Sequence, residues 1–249
     1  QLGRDLMEEC KAQSIEAVGI DIAELDIADG EACRQVVGAI HGESPLDAII
    51  HLAAYTAVDR AEEERELSLK INGEGTKNLA LMAKELDCKF MYISTDYVFN
   101  GEGERPWQPD DEREPLNVYG RGKYEGELAV EALLTKYFIV RISWVFGMGG
   151  NNFIKTMLRL AATRERLTVI DDQKGAPMLR LGEERGAVSV VNDQVGSPTY
   201  TKDLARLLAS MIGTEHYGRY HATNEGLCSW YEFAVEIFKQ SGMEVAVTP

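Results

Sequence analysis

The sequence predicts an α/β fold in which helices cover both faces of a parallel sheet. Short apolar runs alternate with amphipathic stretches of ten or more residues through the N-terminal part of the chain. The central runs are apolar throughout rather than alternating, as expected of strands that are buried on both faces. Strands separated by long helices pair in parallel, because an antiparallel neighbour needs only a short turn.

The predicted elements follow one another in regular order. Strands are expected at 16–21, 46–54, 90–94 and 137–142, and helices at 29–40, 66–86, 118–134, 200–212 and 230–241. Ser229 and Glu232 have the spacing of a capping box at the start of the last helix. This order predicts a Rossmann-type doubly wound parallel sheet at 1–150. A smaller C-terminal lobe follows at 151–249, with part of it returning to the main sheet.

The composition limits the class of partner. The 249 residues include 26 Lys plus Arg and 41 Asp plus Glu, giving a formal charge of −15. Such a chain is not expected to bind nucleic acid or an anionic membrane surface. No apolar run approaches the ~18 residues of a membrane span, and no signal peptide is visible. We therefore expect a cytoplasmic protein with a small-molecule ligand.

The cysteines and histidines predict neither disulfides nor a metal site. Four scattered cysteines without a Cys-x-x-Cys pair indicate reduced thiols, and four histidines lack the spacing of a catalytic metal site. A dependence on Mg²⁺ is left open. These residues are Cys10, Cys33, Cys88 and Cys228, and His41, His51, His216 and His221.

Small, polar or aromatic residues follow four of the predicted strands. They are Asp21, the segment Ala53-Ala54-Tyr55, the segment Ser94-Thr95-Asp96, and the pair Ser143-Trp144. In parallel sheets, ligands bind beyond the carboxyl ends of the strands. For any one of these sets, turn formation or helix capping is the better explanation, but four such sets together favour a binding site.

Tyr119 and Lys123 carry the strongest indication of chemistry. Their spacing places both side chains on one face of the predicted helix. A nearby ammonium is expected to lower the pKa of a phenol from about 10, which suits the pair to proton transfer with an alcohol or carbonyl oxygen. Tyr-x-x-x-Lys also arises by chance, as a surface tyrosine beside a solvated lysine. The upstream Thr95 would add a second hydroxyl and favours the catalytic interpretation.

These residues occur within longer segments that resemble the dTDP-4-dehydrorhamnose reductase family of extended short-chain dehydrogenases/reductases. The resemblance covers nearly the whole chain and is most specific at 94–99 and 115–120. The matching segments are 53–62, Ser94-Thr95-Asp96-Tyr97-Val98-Phe99, Pro115-Leu116-Asn117-Val118-Tyr119-Gly120, 141–146, 150–153 and 193–199.

The resemblance implies a role for each matching residue. Tyr119 would be the proton donor, Lys123 its electrostatic partner and a ribose contact, and Thr95 a hydrogen-bond partner of the sugar carbonyl. For Trp144, a place in the core is an equal alternative to packing on the sugar. The implied cofactor contacts are Gln1, Leu2, Asp21, Asp26, Ile27, Ala53, Ala54, Tyr55, Asn72, Tyr119 and Lys123, and the implied substrate contacts are Thr95, Asp96, Tyr97, Trp144 and Asn152.

The resemblance implies reduction of the C4 ketone of dTDP-4-dehydro-L-rhamnose, with NADP(H) as cofactor, by a monomer or homodimer. Asp21 favours NAD(H), because a carboxylate at the end of the second strand accepts hydrogen bonds from the ribose hydroxyls and repels a 2′-phosphate. Both cofactors are therefore kept as expectations.

Two other functions stay open. A regulatory subunit resembling the β subunit of methionine adenosyltransferase would bind a dinucleotide without catalysis, but Thr95, Tyr119 and Lys123 are all present and favour an enzyme. The second alternative is another nucleotide-sugar epimerase, dehydratase or reductase. Dehydratases of this superfamily usually carry Asp-Glu after the threonine, whereas Asp96-Tyr97 follows Thr95 here.

The sequence departs from the family pattern at its ends. Gln1-Leu2-Gly3 corresponds to the end of the glycine-rich turn, so the first strand and most of that loop are expected to be missing. The family also continues beyond Pro249 for roughly a strand and a helix.

An internal repeat is a further departure. Residues 157–177 recur at 178–198 with 10 identities in 21 positions, whereas the family has one copy. We expect the helix 152–162 and the strand 188–192 to take the family positions, with 174–186 bulging outward. The alternative is that 167–171 is the paired strand and the second copy is extruded.

Overall fold

The computed structural model describes residues 1–102, 105–162, 166–168 and 195–248, and it divides into two compact units. The first, here named the sheet unit, comprises the described part of 2–142, together with 204–222. The second unit comprises Gln1, the described part of 143–203, and 223–248. The division of the chain into a dinucleotide-binding part and a substrate-binding part stays a prediction.

Four parallel strands form the sheet unit's core. In the described residues these strands are β1 (Ala48–His51), β2 (Lys89–Thr95), β3 (Tyr137–Ile142) and β8 (Gly218–His221). In the sheet they follow the order β1-β2-β3-β8, with Ile50 opposite Met91, Tyr92 opposite Ile139, and Val140 opposite Tyr220. The predicted parallel α/β sheet is thereby confirmed.

Helices cover this sheet on both faces. They are α1 (Leu2–Ala12), α2 (Gly30–Glu43), α3 (Val58–Glu63), α4 (Arg65–Leu69), α5 (Thr76–Glu85), α6 (Val118–Leu133) and α8 (Thr201–Ile212), the last of which begins in the second unit. Phe90 and Tyr92 point into the core beneath α2, α5 and α6. Met91 and Ile93 point into the core beneath α1 and α8. Because successive strand residues alternate between faces, a strand between two helical layers must be apolar throughout.

Side-chain caps fix the starts of the helices that matter most for the site. Asp29 accepts hydrogen bonds from the backbone N–H groups of Glu31 and Ala32 at 2.9 and 3.1 Å, and so begins α2. Asn117 accepts from Gly120 N at 2.7 Å and begins α6 two residues before Tyr119. Both residues satisfy backbone donors that the first helical turn leaves without a partner.

The predicted helix at 66–86 is interrupted. A π-helical segment, Lys70–Gly75, separates α4 from α5. Thr76 Oγ1 donates to the Asn72 carbonyl oxygen at 2.6 Å, so a side chain satisfies a backbone acceptor within this wider turn. Segments of this kind often accompany functional sites, and Asn72 lies within this one.

The prediction of a strand at 16–21 is wrong. These residues have no regular structure, and residues 11–20 are exposed, with Val18 at 64% of its full exposure. No strand lies beside them in the described chain, so their backbone groups have no ladder partner. Since a strand is stable only when its N–H and C=O groups are paired, the apolar pattern alone did not suffice.

In its described residues, the second unit contains two helices and short strand pairs. Helices α7 (Phe153–Ala161) and α9 (Trp230–Ser241) pack around Met157, Leu160, Ala234, Ile237 and Phe238. The strands are β4 (Val145–Phe146), β5 (Arg166–Thr168), β6 (Val195–Gly196), β7 (Thr199–Tyr200), β9 (Cys228–Ser229) and β10 (Ala246–Thr248), which pair as β4 with β7, β5 with β10, and β6 with β9.

The capping box at the start of α9 is confirmed. Glu232 N donates to Ser229 Oγ at 3.1 Å, and Ser229 N donates to Glu232 Oε2 at 2.8 Å. Two backbone donors at the helix start are thus satisfied reciprocally.

The structure tests part of the expectation for the repeat. Helix α7 occupies the predicted 152–162 segment. Residues 166–168 pair in parallel with 246–248, so the first two residues of the alternative strand 167–171 are paired, and the other three lie outside the described residues. The preferred strand at 188–192 and the expected bulge at 174–186 lie outside the described residues.

Candidate active site

The three predicted catalytic residues lie at one end of the sheet unit. Thr95 is the last residue of β2, and Tyr119 and Lys123 occupy successive turns at the start of α6. Helix α6 approaches the 3₁₀ turn Asp96–Val98 so closely that a Cβ at Gly120 would overlap the Tyr97 carbonyl oxygen. Glycine at this position therefore lets the helix carrying Tyr119 approach the end of the strand carrying Thr95.

The phenol of Tyr119 is held in its neutral form. Burial raises its pKa well above the ordinary value, and Asp96 and Tyr97 raise it further, while a hydrogen bond with the Thr95 side chain acts in the opposite direction. The rings of Tyr119 and Tyr97 meet edge to face with centroids 5.7 Å apart. A neutral phenol beside a second hydroxyl is the state that a proton donor to a carbonyl oxygen needs.

The expected lowering of the Tyr119 pKa by Lys123 is wrong for this structure. Lys123 is only 2% exposed, and its Nζ lies 4.3 Å from the centre of the Tyr92 ring. Burial lowers the pKa of Lys123 itself to about 7, against the raising effect of Glu127. Desolvation disfavours the charged form of both the Tyr119 phenol and the Lys123 amine. Burial therefore has a larger effect on their pKa values than any attraction between the two side chains.

Thr95, Asp96 and Tyr97 form a compact polar turn. Thr95 Oγ1 donates to Asp96 Oδ1 at 3.0 Å and accepts from Tyr97 N at 3.2 Å. Burial raises the pKa of Asp96 to about 6, partly offset by its hydrogen bond with Thr95. Burial also raises the pKa of Tyr97 to about 12. The predicted substrate contacts 95–97 are therefore brought together around Tyr119.

His51 is a buried neighbour of Tyr92, and no pattern in the sequence predicted this contact. Its ring stacks on Tyr92 with centroids 5.4 Å apart, and its Nε2 lies 3.0 Å from Thr76 Oγ1. Because Thr76 gives its own proton to the Asn72 carbonyl, His51 Nε2 must be the donor. Burial and the charge of Lys123 lower the pKa of His51 to about 3, so the ring is neutral at pH 7.

Glu127 and Arg141 are also fully buried near Lys123 and were not recognised from the sequence. Arg141 donates to both carboxylate oxygens of Glu127, from Nε at 2.9 Å and from Nη2 at 2.8 Å. The spacing Tyr119, Lys123, Glu127 repeats every four residues along α6, and it could have indicated that all three share one face.

The side chain of Asn72 is hydrogen-bonded to the backbone of Tyr55. Its Oδ1 accepts from Tyr55 N at 2.9 Å, and its Nδ2 donates to Tyr55 O at 3.0 Å. The amide therefore fixes the segment after β1, which includes the predicted contacts Ala53 and Ala54. A direct contact between Asn72 and the cofactor stays a prediction.

The remaining predicted cofactor residues of the sheet unit have different environments. Leu2 and Ile27 are 9% and 8% exposed and pack in the two cores, so contact with a ligand would fall mainly to their backbone. Asp21 and Asp26 are exposed, and each accepts a local backbone hydrogen bond, from Ile22 N at 2.8 Å and from Ala28 N at 3.0 Å.

Trp144, Asn152 and Gln1 belong to the second unit. Trp144 has a φ of 47° and stacks on Trp230, with ring centroids 3.6 Å apart. Asn152 caps α7 by accepting from Lys155 N at 3.1 Å, and its Nδ2 donates to Gln1 Oε1 at 3.1 Å. Trp144 thus has one ring face covered, which fits both interpretations offered for it.

Within the residues that the structure describes, no group of three or more His, Cys, Asp or Glu side chains is arranged to hold a metal ion. No helix of the described ranges is long and apolar enough to cross a membrane.

The parallel sheet, with Thr95 at a strand end beside Tyr119 and Lys123 on the following helix, defines a protein of the short-chain dehydrogenase/reductase class. The family model described as RmlD substrate binding domain matches residues 1–177 and 178–249. This chain belongs to that family. The break between the two matches falls at the junction of the two repeat copies.

The similar proteins include one that carries the name of the family that the sequence resembles and one that is named for polysaccharide biosynthesis. The dTDP-4-dehydrorhamnose reductase of Streptomyces griseus is 37% identical over 251 residues, covering 98% of this chain and 74% of that protein. The spore coat polysaccharide biosynthesis protein SpsK of Bacillus subtilis is 38% identical over 247 residues, covering 99% and 78%.

A solved structure agrees with these relatives. The dTDP-4-dehydrorhamnose reductase of Bacillus anthracis in complex with NADP has a TM-score of 0.87 and 41% identity, covering 100% of this chain and 81% of that one. The predicted family resemblance is thereby confirmed.

Proposed function

We propose that this chain is an NADPH-dependent reductase that converts dTDP-4-dehydro-L-rhamnose into dTDP-L-rhamnose, for the synthesis of cell-surface polysaccharide. The cluster of Thr95, Tyr119 and Lys123 carries the proposal, because a neutral phenol is hydrogen-bonded to a second hydroxyl and an amine follows one helical turn further along α6. The identity of the substrate is inferred from the names of the relatives.

The residues act in the following way. Reduced nicotinamide, when bound, supplies the hydride for the C4 carbon of the sugar. The hydroxyl of Thr95 and the phenol of Tyr119 hydrogen-bond the ketone oxygen, and the phenol proton passes to that oxygen as the alcohol forms. Lys123 in its protonated form stabilises the phenolate that remains.

The cofactor site has the chemistry that a dinucleotide needs. Ala53 and Ala54 follow β1 and present only methyl groups, so a ligand backbone can approach closely. We assign Lys123 a second role, as a donor to a ribose hydroxyl of the cofactor. NADP is the ligand named for the Bacillus anthracis relative, and we extend it to this chain, with NAD(H) retained as a second cofactor because of Asp21.

We also propose that the reaction takes place in the cytoplasm and that the enzyme is a monomer or a homodimer. The four cysteines are scattered and form no Cys-x-x-Cys pair, and this spacing supports a compartment in which thiols are kept reduced. Cell fractionation would test the location, and sedimentation would determine the oligomeric state.

The proposed reaction is tested by incubating the protein with dTDP-4-dehydro-L-rhamnose and NADPH. We expect loss of NADPH absorbance and formation of one equivalent of dTDP-L-rhamnose, identified by NMR, with Tyr119→Phe as the inactive control. NADPH consumption without this product, or no consumption at all, would refute the proposed substrate.

A further inference from the structure

Glu127 accepts four hydrogen bonds in a site closed to water. Its Oε1 accepts from Ser94 Oγ at 2.6 Å and from Arg141 Nε at 2.9 Å. Its Oε2 accepts from Arg141 Nη2 and Arg113 Nη1, both at 2.8 Å. Glu127 and Arg141 are 0% and 1% exposed. Four such bonds use the whole acceptor capacity of a carboxylate, so the side chain is fixed in one position.

The partners of Glu127 come from three separate parts of the sheet unit. Ser94 lies in β2 directly before Thr95, Arg141 lies in β3, and Arg113 precedes α6. Glu127 itself follows Lys123 by one helical turn. A single carboxylate therefore ties the end of the strand that carries Thr95 to the helix face that carries Tyr119 and Lys123.

We infer that Glu127 is a positioning residue. Arg141 and Ser94 hold its carboxylate in one position, and Glu127 in turn holds Tyr119 and Lys123 against Thr95 and places a negative charge opposite the Lys123 ammonium. This inference rests on the proposed function for the roles of Tyr119 and Lys123. Catalytic groups must be held within about 0.5 Å of their productive geometry, and a clamp shared by helix and strand meets that need.

Apart from Glu127, the titratable groups named here around Lys123, which are His51, Tyr92 and Tyr119, carry no charge at neutral pH. Burial raises the pKa of both Tyr92 and Tyr119 above 10, and burial with the charge of Lys123 lowers the pKa of His51 to about 3. Burial disfavours the ionised form of Glu127, but Arg141, Ser94 and Arg113 hold its pKa below the ordinary value. Among these four neighbours, Glu127 therefore supplies the charge that opposes the loss of the Lys123 proton.

Cationic groups face Glu127 from the elements packed against it. Arg141 in β3 and Arg113 before α6 are bonded to it, and His221 at the end of β8 also interacts with it electrostatically. Burial lowers the pKa of His221, so this ring adds no charge at neutral pH. The two arginines are the cations whose removal would alter the effect of Glu127 on Lys123.

The experiment is an NMR titration of the Lys123 ¹³Cε signal, assigned with Lys123→Met. In Glu127→Gln we expect the midpoint of this titration to fall by about one pH unit or more. We also expect kcat to fall at least roughly tenfold, with a much smaller change in substrate KM. Glu131→Gln is the matched control, since Glu131 lies one turn further along α6 and pairs with Arg113 and Arg219. In Glu131→Gln the midpoint of the Lys123 titration should equal that of the wild type.

A second variant covers the case in which Glu127→Gln fails to fold, since it leaves Arg141 buried without its partner. Arg113→Gln keeps the Arg141 pair and removes one cation, so the Lys123 midpoint should move to higher pH. An unchanged midpoint in folded Glu127→Gln, or in Arg113→Gln if the first variant does not fold, would overturn the inference. Wild-type protein without turnover would instead refute the proposed function, because the titration does not depend on turnover.

Discussion

The ammonium of Lys123 lies 4.3 Å from the centre of the Tyr92 ring, and the Tyr92 hydroxyl donates to the Lys123 carbonyl oxygen at 3.2 Å. The same two residues are thus joined through side chain and backbone. The ring face offers a buried cation partial compensation for lost hydration. Tyr92 and Thr95 both belong to β2. The two contacts with Tyr92 therefore hold Lys123 at a defined position relative to the strand end where the substrate is proposed to bind.

Tyr119→Phe should lower kcat by about 10²–10⁴-fold, because it removes the proton donor and keeps the ring. Cofactor affinity, measured by fluorescence titration with NADPH, should be nearly unchanged. Tyr124→Phe is the matched control on the same helix, since its ring packs under Arg113 rather than near Thr95. A Tyr119→Phe protein that keeps most of its turnover would rule out Tyr119 as the acid.

Lys123→Met should weaken cofactor binding and turnover together, since the ammonium is proposed to serve both. The substitution should also change how stability depends on pH. Folded protein holds the Lys123 proton only below about pH 7, whereas the unfolded chain holds it up to about pH 10.4. Between these values the unfolded state binds more protons, so Lys123 makes the free energy of unfolding rise with pH.

This effect is measured by urea unfolding of wild type and Lys123→Met from pH 7 to pH 10. The slope of the free energy of unfolding should be more positive for the wild type, by at most about 1.4 kcal/mol per pH unit. Parallel slopes would contradict the lowered pKa of Lys123.

Asp21→Ala should shift the cofactor preference towards NADPH. Two unit charges ~4 Å apart repel by roughly 4 kcal/mol at an effective dielectric near 20. Because Asp21 is exposed and solvent screens the charge, we expect a rise in the NADPH/NADH ratio of kcat/KM of roughly tenfold. Glu16→Ala removes a nearby carboxylate as a control. An unaltered ratio in Asp21→Ala would mean that this side chain points away from the ribose.

Gly126→Ala should destabilise the protein, whereas Gly38→Ala should stabilise it. A Cβ at Gly126 would overlap Tyr92 Oη and lie 2.9 Å from the Asn72 carbonyl oxygen, but at Gly38 nothing lies within 4 Å. Both glycines are in helices, so alanine gains about 0.5–1 kcal/mol of helix propensity at each. We expect a net loss of about 1–3 kcal/mol at Gly126.

Thermal or urea unfolding of the two glycine variants measures the difference. Equal stability changes would show that α6 does not approach Tyr92 as closely as described. A loss of turnover in Gly126→Ala beyond its loss of stability would indicate that displacing α6 also displaces Lys123.

Local patterns in the sequence determined much of the fold. The apolar runs at 90–94 and 137–142 predicted buried parallel strands, and Ser229 with Glu232 predicted the start of α9. The pair Tyr119 and Lys123, with Thr95 upstream, identified the candidate site. These features were recognisable because strand burial, helix capping and (i, i+4) spacing depend on residues close in the chain.

Contacts between distant residues decided what the sequence left open. The apolar pattern at 16–21 did not form a strand, since pairing requires a neighbour that no local pattern supplies. Spacing suggested that Lys123 would lower the pKa of Tyr119, but burial raises the pKa of Tyr119 and lowers that of Lys123 instead. The clamp of Glu127 joins residues 14 to 33 positions apart. Desolvation and long-range ion pairing depend on the whole packed unit, and only the tertiary structure determines them.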